Sequence, residues 1–241
     1  MTDDQQHPGP TEQSLGDVMS HVARELQEEH GDVEATLQRI TRAAVETVPG
    51  ADECGVSYVV RRRDVEPRAW TSGLPRALDV LQGRLHQGPC LDAIWDERVV
   101  TVPDVAADER WPEFARQATE LGVGSLLCFQ LFVEGDNLGA LNLYSRRAGG
   151  FDAESREVGQ LFAAHAAVAL AGAEHESNLR AGMDHRDLIG QAKGILMERH
   201  KLTAVQAFDL LVRTSSLTNR KLRDVADELT STGHLTAAGQ G

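Results

Sequence analysis

Aromatic side chains make up only 5% of the 241 residues, and there are only three cysteines. Scarce aromatics mean cores built from Leu, Val and Ala. Cys54, Cys90 and Cys128 are far apart, odd in number and never paired as C-x-x-C. That suits a reducing cytosol better than a disulfide framework. No apolar run approaches the ~18 residues needed to cross a bilayer; the stretch from Phe162 to Ala173 is interrupted by His165. The N-terminus, MTDDQQHPGPTEQ, has neither the positive n-region nor the apolar h-region of a secretory signal. The expectation is a cytoplasmic protein that does not enter membranes. No Walker-type glycine loop is present. The nine histidines show neither H-x3-H nor H-E-x-x-H spacing, so the pattern names no metal site and no cofactor. A net charge of −13 argues against coating nucleic acid along the whole surface.

The charge is uneven. Residues 180–235 carry nine Lys/Arg and seven Asp/Glu, whereas the remainder carries 15 and 30. The C-terminal segment therefore lacks the acidic excess of the front. Residues 1–13 are polar with two prolines, the composition of a disordered tail. Leu15, Val18, Met19, Val22 and Leu26 recur at helical steps until Gly31. Asp32 can cap a second helix with Val33, Leu37, Ile40, Ala44 and Val48 on one face. Cys54 to Val60 and Val65 to Thr71 read as strands around a turn at Arg61 to Asp64, and Leu74 to Leu85 as a short helix. Leu126 to Val133 and Leu138 to Tyr144, around Glu134-Gly-Asp-Asn137, give a hairpin whose first strand is apolar on both faces. A helix capped by Asp152 is expected to bury Val158, Leu161, Phe162, His165, Val168 and Ala169. Its pattern continues through Leu179 and Met183 without a proline, although Gly172 and Gly182 each weaken it by ~1 kcal/mol. Three helices follow: Asp184 to His200, one opened by a Thr203–Gln206 capping box, and one capped by Asn219 with Leu222, Val225, Ala226 and Leu229 on one face. Gly233 ends the last.

The segment His185-Arg-Asp-Leu-Ile-Gly-Gln-Ala-Lys-Gly-Ile-Leu-Met-Glu-Arg-His200 resembles the first helix of the ANTAR family of RNA-binding antitermination domains. The likeness continues through Ala207-Phe208, Leu210-Leu211 and Asn219-Arg-Lys-Leu-Arg-Asp-Val-Ala226. Residues 33–173 resemble a GAF sensor domain, on Gly88-Pro89-Cys90-Leu91-Asp92, Thr101-Val-Pro-Asp104 and Leu138-Gly-Ala-Leu141. Together they look like a GAF–ANTAR regulator of actinobacterial type. The expected architecture is α+β: a GAF-like antiparallel sheet flanked by helices, then a three-helix ANTAR bundle. The expected boundaries are a tail at 1–13, the GAF-like domain at 14–173, a helical connector at 174–184, the ANTAR domain at 185–235 and a flexible tail at 236–241.

The resemblance implies a mechanism without covalent chemistry. A homodimer of the module binds paired stem-loops in a nascent leader transcript, a competing terminator hairpin cannot form, and the RNA polymerase elongation complex is affected only indirectly. The candidate RNA-binding residues are Gln191, Lys193, Gly194, Met197 and Arg199 on the first helix, with Arg220, Lys221 and Arg223 at the start of the third. Helical rotation pairs Lys193 with Met197 and Gln191 with Gly194. Gly194 costs helix stability; it either lets an RNA strand approach or lets a neighbouring helix pack closely. Cations at a helix N-terminus oppose its dipole but, with unpaired N–H groups, form an anion site; salt bridges to Asp224, Asp227 or Glu228 are the alternative. Phe208 reads as core, so stacking of bases on exposed rings is not expected to dominate.

The GAF resemblance names no ligand, only an unidentified small-molecule or protein signal. Cys90 and Asp92 are the candidate ligand residues, with Cys90 as a small buried side chain at a helix start the simpler reading. Cys54 and Cys128 read as core. His86 and His165 are the histidines to test as haem ligands, and Trp70, Trp95 and Trp111 read as core or rim. Other readings stay open. Three helices with a basic third also describe a helix-turn-helix DNA-binding unit, and the helical tail could dock proteins alone. An enzyme reducing methionine sulfoxide would need a nucleophilic thiol with a resolving partner.

Overall fold

A computed structural model describes residues 16, 20, 22–24, 32–60 and 64–235. The two expected tails, the turn at 61–63 and most of the first expected helix lie outside the described residues; residues 22–24 are helical, with Val22 buried. The chain divides into two compact units, Met1–His175 and Glu176–Gly241.

The first unit is a five-stranded antiparallel sheet with helices on both faces. In chain order its elements are α1 (Val33–Thr47), β1 (Glu53–Val60), β2 (Asp64–Trp70), α2 (Gly73–Leu85), α3 (Pro89–Trp95), β3 (Val99–Val102), α4 (Pro112–Glu120), β4 (Ser125–Val133), β5 (Asp136–Ser145) and the start of α5 (Ala153–His200). The sheet order is β2-β1-β5-β4-β3. Asp32 caps α1 through its carboxylate, which accepts from the Ala35 N–H at 3.0 Å. The hairpin β4–β5 is tighter than its residues predict: Asp136 and Asn137 pair with Val133 and Phe132, leaving Glu134 and Gly135 as the loop. Gly135, at φ 85°, supplies the left-handed backbone of that turn.

Strand alternation sorts the core into two layers. Leu127, Phe129, Leu131, Leu141 and Leu143 face one side, where α1 and the first part of α5 supply Leu37, Ile40, Phe162, Ala166 and Leu170. Leu126, Cys128, Ala140 and Tyr144 face the other, against Leu78, Ile94 and Phe114 of α2, α3 and α4. The face of α5 that packs differs from the expected one. Leu161 and Val168 are exposed, while Ala163, Ala166, Ala167 and Ala173 are buried with Val158, Phe162 and Leu170. The reason is close approach: a Cβ built on Gly159 would stand 2.6 Å from the Phe129 ring. Small side chains, not the largest apolar ones, set which face meets the sheet.

The second unit contains the C-terminal part of α5, then α6 (Ala204–Thr218) and α7 (Leu222–Thr232). The separate helix expected from Asp184 is the continuation of α5, a helix of 48 residues. Ala192, Leu196, Ala207, Leu211, Val225, Ala226 and Leu229 form its core. Thr203 and Gln206 close a reciprocal capping box. Asn219 does not cap α7: it ends α6 in a left-handed conformation (φ 51°), a geometry Asn tolerates better than most residues. Lys221 is the residue that precedes α7, without a side-chain cap. Gly233 (φ 75°) ends α7.

Candidate functional site

The second unit splits the candidate residues between two sides of α5. Helical steps of 100° put Lys193 and Met197 together, and Gln191, Gly194 and Glu198 together on a different side. On the first side the Lys193 ammonium lies 5.9 Å from the centre of the Phe208 ring on α6. On the second, Gln191, Gly194, Ile195, Glu198 and Arg199 line an open groove of about 790 Å³ completed by Thr230 of α7. A Cβ on Gly194 would meet nothing within 4 Å. Close packing of a neighbouring helix on Gly194 is therefore not its explanation within the described residues; its backbone is open to the groove.

The three cations near α7 behave differently from one another. Arg220 forms an ion pair with Glu228 and donates to the Asp224 carbonyl oxygen at 3.3 Å. Arg223 pairs with Asp224 at 3.1 Å and lies 3.4 Å from His185 Nε2. The helix's own carboxylates thus occupy two of the three, which is the salt-bridge alternative. Lys221 is exposed and makes no ion pair among the described residues. Arg199 donates to the Gly233 carbonyl oxygen, tying α5 to the end of α7. Phe208 is not core: it is 39% exposed, and Val205 and Val212 are exposed at helical spacing from it on α6, as is Met197 on α5 one turn beyond Lys193. Phe208, which the sequence assigns to the core, and Thr230, which it does not single out, both belong to the surface of the second unit. The signal for Phe208 was its phase, one residue past Ala207 and therefore rotated off the buried Ala207–Leu211 line.

In the first unit a buried polar cluster stands on the α2/α3 side of the sheet. Cys90 Sγ donates to Ser57 Oγ at 3.1 Å, and Asn142 Nδ2 donates to the same oxygen at 2.9 Å. Asn142 Nδ2 and the Tyr144 hydroxyl each reach Asp79 Oδ1 at 3.4 Å. Gly88 (φ 142°) turns the chain into α3 so that the Cys90 N–H donates to Gln82 Oε1 at 2.8 Å; a Cβ there would strike the Gln82 side chain at 2.4 Å. Burial pushes the Asp79 carboxyl up to about 7 against the relief given by hydrogen bonds from Ser57, Tyr144 and Asn142. Burial and the nearby Asp79 push the Cys90 thiol up to about 12. Gln82 Nε2 and Asn142 Oδ1 are buried without a hydrogen-bond partner among the described residues, each a penalty of about 1–3 kcal/mol.

Cys90 and Asp92 do not converge. Asp92 is partly exposed two residues on, with burial and Asp96 raising its carboxyl and a Trp111 hydrogen bond opposing them. Cys54 and Cys128 are buried, and all three thiols are free. Trp111 is buried, whereas Trp95 is 47% exposed at the rim. His86 ends α2 at φ 52°, and His165 Nδ1 faces the Leu161 carbonyl oxygen at 2.8 Å. No group of metal-binding side chains occurs among the described residues, and none of their helices is long and apolar enough to cross a membrane.

Comparison with known proteins agrees with this division. No curated protein matches the chain. Among solved structures, a free methionine-R-sulfoxide reductase from Neisseria meningitidis, in complex with its substrate, aligns at 20% identity and TM-score 0.53, covering 73% of this chain and 97% of that one. The GAF domain of a phosphoenolpyruvate-protein phosphotransferase from Coxiella burnetii aligns at 16% identity and TM-score 0.52, covering 68% and 96%. The Stigmatella aurantiaca phytochrome photosensory core module aligns at 11% identity and TM-score 0.59, covering 91% of this chain and 47% of that one. At such identities these likenesses establish the fold alone. The GAF domain model matches residues 30–171 and the ANTAR domain model residues 177–229. With the first match spanning more than half its length and the second following directly, the chain belongs to the GAF domain family and is a GAF–ANTAR regulator.

Proposed function

We propose that the ANTAR module of this chain binds paired stem-loops in nascent leader RNA and so keeps a terminator hairpin from forming, under control of the GAF domain. The observation that carries this reading is the open Gly194 backbone in a groove bordered by Gln191 and Arg199. A strand of RNA can approach such a backbone without a side chain in its way. Lys193 and Lys221 add positive charge outside any ion pair among the described residues, which is what phosphate contacts require. The protein acts on the RNA polymerase elongation complex only through the RNA, in the cytoplasm, and performs no covalent chemistry. The burial and raised pKa of all three thiols support the last point.

The working form is a homodimer. Leu161 and Val168 of the first unit are exposed seven residues apart on α5, a spacing that holds them to one helical face. The GAF input is a small-molecule or protein signal. The unpartnered Gln82 and Asn142 atoms beside Asp79 and Cys90 favour a small polar molecule.

Electrophoretic mobility shift with a structured RNA leader and with duplex DNA of the same sequence tests the reading. The RNA should shift and the duplex should not; the reverse result identifies a helix-turn-helix DNA-binding regulator, and no shift with either identifies a sensor working through protein contacts. Lys193→Gln with Lys221→Gln should flatten the log–log salt dependence of RNA binding by about 1.4 to 1.8, the value for two lost phosphate contacts.

A further inference from the structure

We infer that Phe208, with Lys193 and Met197, forms a ledge on which one unpaired base of the bound RNA stacks. The inference rests on the RNA-binding reading above and deepens it by naming what the module reads. Phe208 is 39% exposed, Val205 and Val212 on the same helix are 70% and 38% exposed, and Met197 on α5 is 36% exposed. Val205, Phe208 and Val212 occupy positions i, i+3 and i+7 of α6, a strip about 10 Å long at 1.5 Å per residue. Met197 lies one turn beyond Lys193 on α5, on the side that faces the ring. Three apolar side chains exposed along one face of α6 are more than the scattered surface hydrophobics of an ordinary domain.

The charge at this strip selects the occupant. The Lys193 ammonium is held 5.9 Å from the ring centre on a flexible stem. An aromatic ring with a cation over one face matches a nucleotide, whose base offers a π-face to the ring's other side and whose phosphate offers the anion. Bases in single-stranded loops are unstacked and free to lie on such rings, whereas bases inside a duplex are not. The strip therefore takes a loop base, with the ring against the base plane, the Met197 thioether and the two valines at its edges, and Lys193 on the adjoining phosphate. The groove on the opposite flank of α5, lined by Gln191, Gly194 and Arg199, would hold backbone. The two sides of the helix then have different tasks, base contact and strand contact, which accounts for the split of the candidate residues between them.

The test uses the full chain and a pool of RNA hairpins that share one stem and carry randomised loops. Selection with the wild-type protein yields a bound hairpin; if none is retained, the RNA-binding reading itself fails. Binding of that hairpin is then compared for Phe208→Tyr, Phe208→Leu and Phe208→Ala, with circular dichroism and sedimentation to establish fold and oligomeric state. Phe208→Tyr keeps the ring and should stay within about threefold of wild type, whereas Phe208→Leu and Phe208→Ala should weaken binding about 5- to 150-fold. An abasic site at one particular loop position should weaken wild-type binding by a similar factor and leave Phe208→Leu unaffected. Wild-type affinity in Phe208→Leu overturns the ledge while leaving RNA binding intact, and so does a loss spread evenly over all loop positions. A Phe208→Leu protein that changes its oligomeric state also overturns it, since a second copy would then be what covers the strip.

Discussion

Replacing Asp79 by Asn should remove a pH dependence that the wild-type fold carries. The Asp79 carboxyl is buried beside Asn142, Tyr144 and Ser57, and burial raises it from the ordinary 3.8 to about 7. Above pH 7 both the folded and unfolded chains hold it ionised, and the fold bears the full cost of the buried charge. Below pH 7 the folded chain takes up a proton that the unfolded chain does not bind until about pH 4. Stability contributed by this group is therefore complete below the unfolded value, declines as pH rises from about 4 to about 7, and is absent above. Roughly three pKa units at 1.36 kcal/mol each give a swing on the order of 4 kcal/mol. Asn keeps the oxygen that accepts from Asn142 Nδ2 and the Tyr144 hydroxyl but cannot ionise. Urea unfolding of both proteins at steps from pH 4.5 to pH 8.5 isolates the term. Carboxylates held low by partners, such as Asp108 beside Arg110, act in the opposite direction at acid pH and cancel in the difference. The stability of Asp79→Asn relative to wild type should rise with pH and level off near pH 7. A difference that stays flat across this range would refute a buried, protonated Asp79.

Gly194→Ala should stabilise the second unit by up to about 1 kcal/mol, because alanine is the better helix former and its methyl group meets nothing nearby. Its RNA affinity should fall at the same time; a melt that rises with affinity unchanged would remove Gly194 from the RNA contact. Native protein at neutral pH should react slowly with a thiol reagent at Cys54, Cys90 and Cys128 and release all three on unfolding, since burial raises each thiol; rapid labelling of Cys90 in the folded state would contradict its place in the cluster. One residue inserted at Ser177 in α5 rotates everything beyond it by about 100° and should uncouple any GAF signal from RNA affinity without unfolding either unit. Intact coupling would show that the signal does not pass through helix phase.

Much of the architecture was legible because local chemistry and tertiary context agree there. Asp32, the Thr203–Gln206 pair and Gly233 mark helix ends that hydrogen bonding or a left-handed backbone demands. The two apolar, β-prone runs of β4 and β5 around a polar turn announce a hairpin, although Asp136 and Asn137, turn-formers by type, are drawn into the ladder by pairing. Periodicity points to the wrong buried face of α5 because it weighs large apolar residues, whereas Gly159 and the alanines decide how closely that helix meets Phe129. Asn219 illustrates a residue with two uses, since the same side chain suits an N-cap and a left-handed C-cap. At the candidate site, residue types were readable but their partners were not. Nothing in the string Asn219-Arg-Lys-Leu-Arg-Asp shows that Glu228 and Asp224 occupy two of its cations and leave Lys221 outside any ion pair among the described residues. The Asp79 cluster was invisible for the same reason: Ser57, Asp79, Cys90 and Asn142 come from four elements that only the sheet and its covering helices bring together.

The most direct measurement is ultraviolet crosslinking and sequencing of the RNA held by the full chain in cells, beside the Lys193→Gln, Lys221→Gln double variant. The account predicts that the wild-type protein enriches leader segments able to form paired stem-loops ahead of a terminator, and that the folded variant loses that enrichment. Recovery of no RNA above background, or the same transcripts at the same yield with both proteins, would contradict it.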